Sequence, residues 1–279
     1  MKILIIAGIF PPDIGGPANY VPKLSTALSL RGHYISILCF SDQAHHESDK
    51  HYRFPIYRII RNQNIIFREA LTIYKGLQLA KKHDVIYSNG NDFKAMIISW
   101  LTGKPRVHKI VGDTSWERAQ NKSWFKGSLD EYQVSKKSFV LQILDWARSF
   151  PLRKASAVIV PSWYLHKIVS GWDVDTKKIK MIYNSFEPLP KSSDHFSDAT
   201  DLFFSDSEMA YMITVCRLVA WKGVDTLIKI LQNFPRLCFI IVGDGPLEME
   251  LKNIAITLGV ANRVFFAGRK KRTEIEALI

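Results

Sequence analysis

Short apolar runs alternate with amphipathic stretches along the first two thirds of the chain, and that rhythm sets the expected fold. Runs at 2–7, 34–40, 55–60, 84–88, 106–111, 157–160 and 179–183 have the length and composition of strands. Between most of them, 17–31, 66–82, 92–102 and 162–171 place apolar residues at helical spacing. Such alternation predicts a parallel sheet covered by helices on both faces. Ser162, directly after Val160-Pro161, has the position of a helix N-cap. Residues 186–208 are rich in Pro, Ser and Asp and carry neither period, which marks a linker. The rhythm then restarts, with strands at 211–216, 237–242 and 263–267 and helices at 223–233, 246–258 and from 272.

The expected organisation is therefore a first α/β domain at 1–186, a linker at 187–208 and a second α/β domain at 209–279. Doubly wound domains usually run to about 100–150 residues. The second domain falls short of that and reads as incomplete, the pattern stopping in mid-helix at Ile279 without a cap signal.

Composition narrows the class. With 47% hydrophobic and 23% charged residues, the chain is expected to fold. The longest apolar runs, 3–10 and 95–101, are shorter than the roughly 20 residues that span a bilayer, so no transmembrane helix is expected. The segment from Met1-Lys2 through Ala7 imitates a signal peptide but meets Pro11-Pro12 without a small-residue cleavage site, and a buried first strand is expected instead. Cys39, Cys216 and Cys238 lie within apolar runs and lack metal or redox spacing, which suits a reduced, cytoplasmic setting. His45, His46 and His51 sit in a polar stretch with no ligand-spacing motif, so no metal is expected there.

The net charge of +12 is uneven. Residues 1–186 hold 27 Lys and Arg against 14 Asp and Glu, residues 187–206 hold 1 against 5, and residues 207–279 hold 10 against 7. A basic first half attracts anions, whether nucleic acid, acidic lipid or phosphorylated substrate, and composition does not choose among them.

Ligands of open parallel sheets bind beyond the carboxyl ends of the strands, which directs attention to two turns. The first, Gly8 to Pro17, carries Pro11-Pro12 and the adjacent Gly15 and Gly16 just before the first helix. Its glycines permit close backbone approach and its amides favour an anion, although a tight turn with no ligand has the same composition. The second follows the first strand of the second domain, where Arg217 and Lys222 flank a strand-to-helix turn and can converge on one anion. Charge-assisted hydrogen bonds of that kind contribute about 1.5–3 kcal/mol each. A solvated basic turn is the alternative.

Five signals in one order carry a resemblance. Pro11-Pro12 with Gly15-Gly16, Gly112-Asp113, Val160-Pro161-Ser162, Ile182-Tyr183-Asn184 and Arg217-Leu218-Val219 with Lys222-Gly223 are followed by Val242-Gly243-Asp244-Gly245-Pro246 and Phe266-Ala267-Gly268. Together they resemble the family 4 retaining glycosyltransferases of GT-B architecture, two Rossmann-like doubly wound domains with the acceptor on the first and the nucleotide-diphosphate sugar on the second. The resemblance implies that Arg217 and Lys222 hold the donor diphosphate and that the Gly15-Gly16 turn donates an amide to the same group. It also implies that Asp113 lies near the reacting sugar, with Trp116 and Glu117 shaping the acceptor side and Gly268 and Arg269 near the nucleobase. No cofactor or metal is implied. Asp173-Val174-Asp175 spells a D-x-D, but it lies between a helix and a strand.

One departure stands out. The family's two glutamates eight positions apart are not found; Glu274 and Glu276 would need partners at positions 282 and 284, beyond Ile279. The expectation is that this stretch alone is inactive.

Residues 122–154 interleave seven basic residues with six aromatics against three acidic ones. Such a mixture suits an anionic membrane surface and a lipid-linked or saccharide acceptor, whereas a stripe of Phe139, Ile143, Ala147 and Phe150 packed on the sheet is the commoner outcome. The function expected is sugar transfer in surface polysaccharide or glycolipid assembly, at the cytoplasmic side. The rivals are a nucleotide-sugar epimerase of the same fold and a non-catalytic basic binder of membrane or nucleic acid. Against nucleic acid, the basic residues are scattered and no recognised motif appears.

Overall fold

The computed structural model describes residues 1–90, 92–185 and 208–270, together with 274, 275 and 278. The linker expected at 187–208 lies outside the described residues except for its last residue, and the helix expected from 272 lies largely outside them.

The chain divides into two compact units, one of Met1–Trp116 with Gly127–Asn184 and the other of Glu117–Lys126 with Ser185–Ile279. In the first, Lys2–Ala7 (β1) is followed by Gly16–Leu30 (α1), Tyr34–Ser41 (β2), Ile56–Ile60 (β3), Ile65–Ala80 (α2), Val85–Asn89 (β4), Asp92–Thr102 (α3) and Arg106–Lys109 (β5). Thr114–Asn121 (α4), Leu129–Val134 (α5), Phe139–Arg153 (α6), Ala157–Val160 (β6), Trp163–Ser170 (α7) and Ile179–Met181 (β7) complete the series. The seven strands form one sheet in the order β3-β2-β1-β4-β5-β6-β7, every pairing parallel.

Period 2 within β1 explains the two helical layers. Ile3, Ile5 and Ala7 pack with Val21 of α1 on one face, while Leu4 and Ile6 pack with Leu79 and Ala80 of α2 and Ile98 of α3 on the other. A strand buried on both faces must be apolar throughout, and each fully buried Leu or Ile contributes about 1.5–3 kcal/mol. Local chemistry starts the helices: the Asn64 side chain accepts from the Ile66 amide at 2.9 Å before α2, and Ser162 accepts from the Leu165 amide at 3.2 Å before α7, as its position predicts.

The second unit repeats the pattern on a smaller scale. Ala210–Val215 (β8), Val224–Ile230 (α8), Leu237–Val242 (β9), Glu248–Thr257 (α9) and Val264–Gly268 (β10) give a three-stranded parallel sheet in the order β10-β9-β8. Phe239 and Ile241 of β9 pack with Ile228 of α8 and Leu251 and Ala255 of α9, and Ile240 and Val242 face Leu278. Both units are thus Rossmann-like parallel sheets of the GT-B type, the second smaller.

One stripe differs from its expected placement. Phe139 and Ile143 of α6 face solvent, and the helix buries Leu141, Arg148, Ser149 and Leu152 instead. Ala147 and Phe150 of the expected stripe are half-buried, and Arg148, paired with Asp113, takes a buried position on the helix.

Candidate functional site

In the first unit the chain returns from the β3 edge to lay β4 beside β1, so the crevice beyond β1 and β4 is a topological switch point. The Gly8 amide donates to the Asn89 carbonyl at 3.2 Å, closing the two turns on each other. The first turn is clamped from β3. The Arg58 guanidinium donates to the Pro11 carbonyl at 2.6 Å and to both Asp49 oxygens, at 2.8 and 2.5 Å. Arg61 pairs with Asp13 at 2.5 Å and Asp42 at 2.8 Å. Hydrogen bonding to Arg58 is the largest influence on Asp49 and holds its carboxyl below the usual range. Gly15 and Gly16 therefore sit on a braced turn at the start of α1, which has no side-chain cap. The Gly16 amide is one of the helix's orphan donors.

Asp113 is buried and has four partners. Its Oδ1 accepts from the Ser115 amide at 3.0 Å and the Trp116 amide at 3.2 Å, which starts α4. Its Oδ2 accepts from Gln133 Nε2 at 3.0 Å and Arg148 Nη1 at 2.5 Å. Arg148 lies 3.3 Å from Asp145 Oδ1 and its guanidinium carbon 3.7 Å from the Trp172 ring centroid. Asp145 in turn accepts from Ser115, Tyr132 and Lys137. The carboxylate of Asp113 thus holds α4 in place, with Trp116 Nε1 donating to the Gly127 carbonyl at 3.1 Å and Glu117 next in the helix. A carboxylate with four donors is suited to positioning rather than to proton abstraction.

Sequence reasoning missed Arg148, Gln133 and Lys109. Buried Lys109, the last residue of β5, donates to Asn184 Oδ1 at 2.7 Å and stands 3.9 Å above the Tyr20 ring. The apolar runs on either side hid it, although Asn184 belongs to a quoted motif. Deeper in the sheet, His108 Nδ1 is 2.7 Å from Ser88 Oγ and 3.1 Å from Arg106 Nη1, and its Nε2 is 3.4 Å from Asp92 Oδ1. Burial depresses the His108 pKa, opposed by Asp92 and reinforced by Arg106. Arg106, also buried, has its own pKa lowered to about 10 by desolvation.

In the second unit three turns at the carboxyl edge of the sheet are tied together. Cys216 N donates to the Val242 carbonyl at 3.0 Å, Leu218 N to the Asp244 carbonyl at 2.8 Å and Gly243 N to the Gly268 carbonyl at 2.8 Å. The approach is close enough that a Cβ at Gly243 would overlap the Cys216 carbonyl oxygen, and one at Gly245 the Leu218 carbonyl oxygen. Gly223, at φ 64°, ends the short turn Ala220–Lys222 and begins α8, a left-handed position that favours glycine. Arg217 and Lys222 project from this braced turn, both exposed, and among the described residues neither has a side-chain partner.

Gly268 and Arg269 reach the same edge. Arg269 Nε lies 2.6 Å from Asp244 Oδ2, and that hydrogen bond raises the arginine's pKa. Arg217, Lys222, Gly268 and Arg269 are accordingly gathered on one edge, while Gly15, Gly16 and Asp113 occupy turns of the other unit. The D-x-D carboxylates have separate tasks: Asp175 caps a turn through the Lys177 amide at 3.0 Å, and Asp173 is 3.6 Å from Arg153.

Known proteins share this fold. Residues 14–188 match the family model described as Glycosyltransferase Family 4, and residues 200–279 match that described as Glycosyl transferases group 1. An uncharacterized glycosyltransferase of Methanocaldococcus jannaschii, MJ1069, is 24% identical, the match covering 96% of this chain and 70% of that one. A GDP-mannose-dependent alpha-(1-6)-phosphatidylinositol monomannoside mannosyltransferase of Mycobacterium tuberculosis is 20% identical over 99% of this chain and 69% of its own length. The crystal structure of Anabaena Alr3699/HepE with UDP-glucose superposes with a TM-score of 0.73 at 22% identity, covering all of this chain and 71% of that one, which shows the fold. The chain belongs to the glycosyltransferases of Glycosyltransferase Family 4, whose model spans more than half of it, and has the GT-B fold.

Proposed function

We propose that this glycosyltransferase moves a sugar from a nucleotide-diphosphate donor to a hydroxyl acceptor with retention of anomeric configuration, in surface polysaccharide or glycolipid assembly. The observation that carries the reading is the pair of exposed cations, Arg217 and Lys222, without side-chain partners among the described residues, on a turn fixed by Gly223 and by the 243–245 turn. Two positive side chains held at a strand's carboxyl end suit a diphosphate, whose charge grows as the glycosidic bond breaks. Stabilising the departing diphosphate more than the bound donor lowers the barrier. The leaving oxygen then accepts the acceptor's proton as the new bond forms on the same face, so no protein nucleophile is required.

In this reading Asp113 acts by positioning Trp116 and Glu117 through α4, and Asp244 orients Arg269 beside the nucleobase, with Gly268 leaving room. The relatives' names, one GDP-mannose-dependent and one seen with UDP-glucose, support a nucleotide-sugar donor without fixing its base. The phosphatidylinositol mannoside acceptor in one name supports a glycolipid class. Among the described residues no helix is long and apolar enough to cross a membrane. The protein is accordingly proposed to work at the cytoplasmic face, touching an anionic membrane peripherally, with no role for nucleic acid or a metal.

The test is transfer by the protein expressed from its complete gene, with UDP-glucose or GDP-mannose and a lipid-linked acceptor, the product anomer assigned by NMR. An α-linked product from the α-donor is expected. A β-linked product refutes retention, and a free epimerised sugar without transfer establishes the epimerase instead.

A further inference from the structure

From the exposed faces of α3 and α6, we infer that this side of the first unit is a docking surface for an anionic phospholipid bilayer. The inference deepens the glycolipid reading by naming where the acceptor's membrane is met, and rests on it only for that purpose.

The apolar stripe of α6 points outward. Phe139 is 76% exposed, and Val140, Ile143 and Trp146 follow it on the same helix, all exposed. Trp146 stacks on Phe150 with ring centroids 5.0 Å apart, and Phe93 of α3 lies 5.8 Å from Trp146, so the two helices share one aromatic face. At its far end Trp100 of α3 is 79% exposed. Beside it a cavity of about 440 Å³ runs between the helices, lined by Met96, Ile97, Ser99, Trp100, Phe150 and Lys154. An apolar surface of this extent with no cover from its own unit marks an interaction site.

Charge selects the occupant. α3 and α6 carry one carboxylate each, and both are turned to other work: Asp92 approaches His108, and Asp145 binds Lys137 and lies by Arg148. Lys136 and Lys154, both exposed, stand at the two ends of α6. An apolar face framed by lysines, with its acids withdrawn, matches an anionic bilayer better than a second copy of itself, which would bring like charges together. Aromatic rings settle at the headgroup boundary while the ammonium groups meet lipid phosphates.

The test is sedimentation of the purified protein with vesicles of phosphatidylglycerol and phosphatidylcholine, or of phosphatidylcholine alone. Binding roughly tenfold stronger to the anionic vesicles is expected. Phe139→Ser with Trp100→Ser, at two highly exposed positions, should weaken it roughly tenfold while leaving the melting temperature unchanged. Lys136→Glu with Lys154→Glu should remove the preference for anionic lipid. Failure of the native protein to bind, equal binding to both vesicles, or a dimer in solution that the Ser variant dissociates would each overturn the inference. Nucleotide binding in the absence of vesicles is measured separately, so loss of the transferase reading would register there and not in the sedimentation.

Discussion

The first strands of the two sheets, β1 and β8, begin similar folds and end in differently employed turns. β1 is hydrogen-bonded on both sides, to β2 and β4, and is buried from Ile3 onward, whereas β8 pairs within the described residues with β9 alone and none of its residues is fully buried. The turn after β1 is braced by arginines that are themselves committed to Asp49, Asp13 and Asp42. The turn after β8 is braced by backbone bonds and glycine packing, which leaves Arg217 and Lys222 without side-chain partners among the described residues. Net charge thus misdirects: the first half is richer in cations, yet those at its sheet edge and in its core are held by Asp49, Asn184 and Asp113. In the proposed reading, what binds an anion is a cation without a structural task.

The strongest way to break the comparison is to remove a committed cation. Arg148→Ala leaves the Asp113 carboxylate buried without its charge partner and should cost about 3–5 kcal/mol in chemical denaturation. A loss below about 1 kcal/mol would show that the pair is not structural. Next comes the glycine bracing of the second unit. Gly243→Ala, at φ 133° against the Cys216 carbonyl, should cost about 1–3 kcal/mol, read from the shift in denaturation midpoint.

A smaller effect follows pH. His108 has a depressed pKa when folded and an ordinary one when unfolded, so the unfolded chain binds the proton first as pH falls. Stability is fully present above about pH 6.5 and should decline below it by up to about 1.4 kcal/mol per pH unit, until the folded-state pKa is reached. His108→Gln should flatten that part of the curve, and an unchanged slope would assign the loss to other groups. Smallest of all, Lys229→Ala breaks an exposed pair with Asp225 at 2.9 Å and should change stability by less than about 0.5 kcal/mol.

Fully buried strands were the legible part of the fold. β1 and β9 match their predicted bounds, because an unbroken apolar run sandwiched by helices has one available role. β5 ends at Lys109 instead of 111, since the chain turns away and leaves Val111 exposed. The short helices α4 and α5 lack a readable period and owe their start to Asp113 and Ser128 side chains. The outward stripe of α6 could not be read from spacing, because the burial of Arg148 depends on Asp113, 35 positions earlier. At the site, the placing of Arg217 and Lys222 on a turn after a strand was readable from the strand-turn-helix pattern, which by itself leaves a solvated basic turn open. The Asp244–Arg269 pair does not, as its members meet only because β9 and β10 are neighbours.

The most direct test is calorimetric titration of UDP and GDP into the protein and into Arg217→Ala with Lys222→Ala, alongside thermal melts of both. Binding at least about tenfold weaker in the double variant, with the melting temperature unchanged, is the expected result. Equal affinity in the two proteins would contradict the account.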